Sequence, residues 1–169
     1  MVKLAARFIK AAQPYMDWVE GAVVRDGPSV SLRVLHRVLS ELQAAAVDLP
    51  SVTDDDLDEA ADAVKDRLDH NPQIQQALSA RLPFSGYSLV FNPFDENDRV
   101  AIMTNLDDDL ADIYWDIADG IALAEGGYCG DAIWHWRFSY FCHWGRHAVH
   151  AQSAIWQYLA DNNGEDADR

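Results

Sequence analysis

Residues 135–150, "HWRFSYFCHWGRHAVH", carry four of the six histidines of this 169-residue chain, set among aromatics and two arginines. His143 and His147 have the His-x-x-x-His spacing that puts two imidazoles on one helix face. At 100° per residue His150 falls within about 60° of them, with Trp136 and Ala154 along the same row. A complementary stripe lies upstream. Asp109, Asp112, Asp116 and Asp119 recur every three or four residues, beside an apolar row of Leu106, Leu110, Ile113, Ile117 and Ile121.

If the chain turns back near Tyr128, equal rise per residue brings Asp112 level with His143 and Asp109 level with His147. Neutral imidazoles and anionic oxygens from His143, His147, Asp112 and Asp109 would suit zinc, iron or manganese. Alternatively, a carboxylate on one ring nitrogen makes the other a general base near neutral pH. Arg146 is placed to help hold an anionic ligand. The leading reading is structural, with Asp109 and Asp112 bonding His147, His143 or Arg146 and offsetting the desolvation of polar groups between helices. The chain has no H-E-x-x-H, and no Glu-x-x-His pair of the di-iron kind, so the residues leave open whether it is an enzyme. The candidate functional face comprises Asp109, Asp112, Asp116, Trp136, Arg137, His143, Arg146 and His147. No cofactor is expected from any motif, while the spacing permits a divalent transition metal.

The elements that would position these residues are helices. Leu4, Phe8, Ala11, Tyr15 and Val19 form one apolar stripe, with Pro14 as a kink or an effective start. Leu32, Leu35, Leu39, Leu42 and Ala46 form a second, with Ser29 or Ser31 as its cap and an end near Pro50. Thr53 precedes an acidic first turn and a third helix with Leu57, Ala61, Val64 and Leu68 facing inward. Pro72 opens a short fourth helix that closes before Pro83. An irregular connection follows, with a β-prone run at Tyr87 to Phe91. Two long helical segments, "DDDLADIYWDIADGIALAEGG" and "DAIWHWRFSYFCHWGRHAVHAQSAIWQYLAD", are separated by "GGYCG", short enough for an antiparallel hairpin. Asp107 and Asp108 belong to an acidic first turn that suits the helix dipole. Five of the six tryptophans fall between Trp115 and Trp156, where helical spacing favours core over a stacking pocket. His36 and His70 read as isolated surface or rim residues.

A net charge of -15, from 28 acidic and 13 basic residues, argues against nucleic acid and anionic membrane as partners. Acidic mimicry of nucleic acid ranks low, because the carboxylates collect at helix starts and in the tail. No apolar run reaches the roughly twenty residues that a membrane span needs. The basic N-terminus lacks the continuous apolar stretch of a signal peptide. Cys129 and Cys142 suit neither a disulfide framework nor a zinc knuckle; they read as reduced thiols of a cytoplasmic protein. Cys142 points off a different helix face from His143, so a Cys–His dyad is not expected.

The segments "DDDLADIYWDIADGIAL" and "DAIWHWRFSYFCHWGRHAVHA" resemble the signature of a bacterial family of small helical proteins known as a domain of unknown function. In that family D-D-L-A-D-I-Y-x-D-L precedes W-x-W-R-F-S-F and H-W-G-x-H-A-x-x-A. Asp108, Asp109, Leu110, Asp112, Ile113, Tyr114 and Asp116 fit the first part. Trp134, Trp136, Arg137, Phe138, His143, Trp144, Gly145, His147 and Ala148 fit the second. The chain departs with Ile117 in place of leucine and His150 in place of an acidic residue. The resemblance implies a helical fold and these site residues, and no activity.

The expected architecture is all-α, a single-domain bundle of about five or six helices over residues 1–160, with a C-terminal antiparallel hairpin from Thr104 to Leu159 and an acidic disordered tail over 161–169. The expected function is an accessory or protein-interaction module with a structural Asp/His/Trp network. The alternative is a metal-binding protein or metal-dependent enzyme using the His143/His147 and Asp109/Asp112 face. A protein partner or small ligand is expected, and the aromatic helices suit a homodimer.

Overall fold

Among the described residues, apolar side chains at three- and four-residue spacing build the six α-helices given below, and a small antiparallel hairpin interrupts them. The computed structural model describes residues 1–21, 27–61, 64, 70–90, 94 and 101–162. Helix α1 spans Val2–Val19 and buries Ala5, Phe8, Ala12, Tyr15 and Val19. It continues across Pro14, whose ring lies on the exposed side. Helix α2, Pro28–Val47, buries Leu32, Leu35, Leu39, Leu42 and Ala46 as expected. Its start differs from expectation, since Gly27 is the N-cap at φ 84° and neither serine caps it. Proline at the first helical position already has the right φ and lacks an orphan N–H, so a serine cap is not required.

The expected third helix does not begin after Thr53. Asp54–Asp56 and Glu59–Ala61 are single 3₁₀ turns, separated by an extended Leu57. Thr53 Oγ1 bonds the Asp56 carboxylate at 3.0 Å instead of a backbone amide. Asp58 N–H is held by buried Asp131 at 3.2 Å. Consecutive carboxylates repel one another and compete for backbone amides, which favours turns over a continuous helix. Val64 is helical, and residues 62, 63 and 65–69 of the expected helix, Leu68 among them, lie outside the described residues. Helix α3 is Gln73–Arg81. The Arg81 side chain caps the end of α1 by donating to Trp18 O at 3.1 Å and Val19 O at 2.6 Å.

Strand β1, Gly86–Leu89, pairs antiparallel with β2, Ile102–Asn105, in the register Tyr87 opposite Thr104. Residues 87–89 of the β-prone run therefore form a strand, and its partner joins the end of the expected irregular connection to the expected start of the helical hairpin at Thr104. Helix α4, Leu106–Glu125, follows β2 directly and packs against α1, α3 and the two helices that follow it in the chain. Its end is a Schellman turn: Tyr128 N–H bonds Leu123 O at 2.9 Å and Gly127 N–H bonds Ala124 O at 3.1 Å. Gly127 holds φ 94°, a left-handed conformation that strains other residues.

The long final helix of the sequence reading is two helices. Helix α5 spans Cys129–Cys142 and α6 spans Trp144–Asp161; His143, at φ -141° and ψ -88°, breaks them. The break lets the backbone pack back on itself, because a Cβ on Gly145 would lie 2.3 Å from Tyr140 O. Trp136 and Trp144 are both fully buried, and their indoles donate to Ile117 O and Trp136 O at 3.1 and 3.3 Å. Gly120 admits the first of these rings, since a Cβ there would sit 2.1 Å from Trp136 Nε1. Among the described residues no helix is long and apolar enough to cross a membrane. The segment 163–169, the larger part of the expected tail, lies outside the described residues.

Candidate metal centre

Helix α4 presents its aspartates in consecutive turns toward the start of α6. Asp109 is buried, and its two oxygens have different partners. One accepts a hydrogen bond from His147 Nδ1 at 2.6 Å; the other accepts a short one from the Tyr87 hydroxyl on β1. A carboxylate only accepts, so Nδ1 of His147 carries the proton and Nε2 presents its lone pair when the ring is neutral. That Nε2 lies 3.6 Å from Asp112 Oδ2.

His143 repeats the arrangement about two turns along α4. Its Nδ1 lies 2.6 Å from Asp116 Oδ2, and His135 Nε2 donates to Asp116 O at 3.1 Å. The expected pairing of His143 with Asp112 is thus replaced by one with Asp116. Level pairing assumed a continuous helix, and the break at His143 resets the register there. The His143 and His147 rings meet edge to face, with centroids 4.9 Å apart. Ligating atoms of Asp112, His143 and His147 all lie within 4.8 Å of one another.

The electrostatics follow from burial and neighbouring charge. Burial alone would push the His147 imidazolium down, but its hydrogen bond to Asp109 and the charges of Asp109 and Asp112 outweigh it, leaving the pKa above the ordinary histidine value. Burial raises Asp112, opposed by the neighbouring His147. Burial lowers His150, and Asp109 works against that. Tyr15 is completely buried and donates to Leu110 O at 2.6 Å; burial, then Asp109 and Asp112, raise its pKa. Burial, with the Asp109 bond behind it, likewise raises Tyr87.

The model of the domain of unknown function DUF5063 matches residues 1–161. The chain belongs to this family. No match was found among curated proteins. The crystal structure of protein BF1032 from Bacteroides fragilis, a structural-genomics target, superposes with a TM-score of 0.55 over 91% of this chain and 86% of that one, at 19% identity. At that identity the likeness establishes the helical fold alone.

Several candidate residues of this DUF5063 member fall outside the centre. Trp136 is core. Arg137 turns toward the end of α2, donating to Leu49 O at 3.0 Å and lying 5.1 Å over the Phe141 ring. Asp109, expected among the ligands, is buried behind His147 and occupied by Tyr87, so it orients the imidazole. Arg146 and His150 face a neighbouring groove. His70 is not isolated: it bonds Asp119 at 3.3 Å and stacks on Trp115 at 5.0 Å. Cys142 is exposed, and burial of its thiol together with Asp116 raises its pKa, contrary to an activated nucleophile. Sequence reasoning missed Tyr87. Its only sequence signal was a place in the β-prone run, which says nothing of which carboxylate its hydroxyl meets.

Proposed function

We propose that this chain binds a divalent transition metal through Asp112, His143 and His147, with Asp109 and Asp116 orienting the two imidazoles. One observation carries the reading: three ligating atoms converge within 4.8 Å while each imidazole has its Nδ1 committed to a carboxylate. Carboxylate support on the far ring nitrogen is the usual outer shell of a metal-bound histidine. The Asp112–His147 separation of 3.6 Å is already close to the edge of about 3.4 Å that metal–ligand bonds of about 2.1 Å give in a tetrahedral site. Two histidines and one carboxylate suit zinc, iron or manganese and leave coordination positions for water or a further ligand.

Elemental mass spectrometry on untagged protein purified without chelator, followed by titration of stripped protein with Zn²⁺ and Mn²⁺, tests this. Near-stoichiometric metal that is lost in His143→Ala and Asp112→Ala is the expected result. Wild-type protein that takes up neither metal overturns it. A second reading, an interaction module whose Asp/His/Trp network specifies the fold, is favoured by burial of Asp109 and by the exposed rings of Phe138, Phe141 and Trp156. It predicts no metal and a large loss of stability in both variants.

A further inference from the structure

A groove of about 1030 Å³ opens between the β1–β2 hairpin and α6. Its walls are mainly apolar: Leu89 and Val90 on the hairpin side, Phe141, Val149 and Tyr158 on the other. Phe84 stacks on Tyr158 at 5.2 Å and stiffens one end. Cavities of this size and lining hold small organic molecules, with a few polar groups setting orientation. The polar groups here are unusual for this chain. Among the described residues that line the groove there is no carboxylate, although the chain carries a net charge of -15. Its charged side chain is Arg146, and His150 stands one turn further along α6.

We propose that this groove binds a small organic acid, its apolar body against the walls and its carboxylate on Arg146. A guanidinium presents donors in a fork that fits a carboxylate. Its five N–H groups let Arg146 keep its intramolecular interactions and still bind a ligand. An organic cation would meet Arg146 with no compensating carboxylate in the described lining. A neutral apolar molecule would leave the groove's charge unused. The inference does not depend on the metal centre, since neither Arg146 nor the apolar walls named above supply a ligand to it.

Isothermal titration calorimetry in EDTA, with decanoate and decyltrimethylammonium as probes, tests it independently of metal. Saturable decanoate binding and weaker or no binding of the cation are expected. That preference is diagnostic, because the net charge of the chain favours the cation non-specifically. Arg146→Gln should weaken decanoate roughly tenfold or more, the loss of one charge-assisted hydrogen bond. Val149→Glu, at a position 54% exposed and so tolerant of substitution, should weaken it as well by placing a like charge in the groove. Circular dichroism verifies that both variants fold. No saturable decanoate binding, equal binding of the two probes, or binding unchanged in both folded variants would overturn the proposal.

Discussion

Two histidine–aspartate pairs of the same length, 2.6 Å, tie α4 to the region where α5 gives way to α6. They differ in burial. In the Asp109–His147 pair the side chains are 2% and 21% exposed; in the Asp116–His143 pair they are 15% and 47% exposed. Asp109 also holds the Tyr87 hydroxyl, so it joins the hairpin, α4 and α6 at one carboxylate. Asp116 pairs its carboxylate with His143 and its backbone oxygen with His135 of α5, where water is able to screen the charges. Equal geometry therefore serves different ends: the first pair anchors the fold, while the second orients a histidine that solvent can reach.

The largest effect that would break this contrast concerns Asp109. Asp109→Ala removes a buried carboxylate and leaves a partly buried imidazole and phenol without their acceptor, and urea denaturation should show a loss of about 2–4 kcal/mol. A loss under about 1 kcal/mol would place Asp109 on the same footing as an exposed pair. Gly120→Ala should cost less, about 1–3 kcal/mol, because its Cβ would displace the Trp136 indole and loosen α4 from α5. Wild-type behaviour would show that the ring has room the structure does not provide.

The His147 pair should also be visible in pH dependence. A folded-state pKa above the unfolded value contributes stability that is complete below the unfolded pKa and disappears as pH rises through the folded one. His150, shifted down, acts in the opposite direction, its contribution being lost as pH falls through its folded value. The difference between wild type and His147→Gln in chelator isolates the first effect, and it should shrink as pH rises past the ordinary histidine range. A difference that grows with pH contradicts the assignment. Smallest in stability is Asp116→Ala, expected within about 1 kcal/mol of wild type for a pair half open to water. Its Zn²⁺ affinity should nevertheless fall about 10–100-fold if Asp116 orients a metal-binding His143. Unchanged affinity would remove Asp116 from the centre.

Local patterns made much of this legible. The apolar stripe of α2 is buried as its spacing requires, and Leu110, Ile113 and Ile117 pack the inner face of α4. The aspartate stripe on α4 and the His147–Asp109 pairing followed from helical periodicity and equal rise along two helices. The same logic misassigned His143, because a break of one residue shifts its partner by a turn. It also put Trp136 on the histidine row, and Arg137 was counted in the same functional face. Both belong to α5, and once α5 and α6 separate at His143 their faces are no longer aligned.

What the amino-acid order by itself determined was local: which side chains share a helix face, where glycine and proline end an element, and that acids and histidines come in turn-spaced rows. Tertiary structure decided which rows meet. Burial of Asp109 depends on Tyr87, 22 residues away, and on a hairpin whose second strand has no distinguishing pattern of its own. The close approach at Gly145 that accompanies the break at His143 depends on what stands opposite, the Tyr140 backbone. Such choices come from packing between distant segments, where a shift of one residue moves a side chain by 100° around a helix and exchanges its partner.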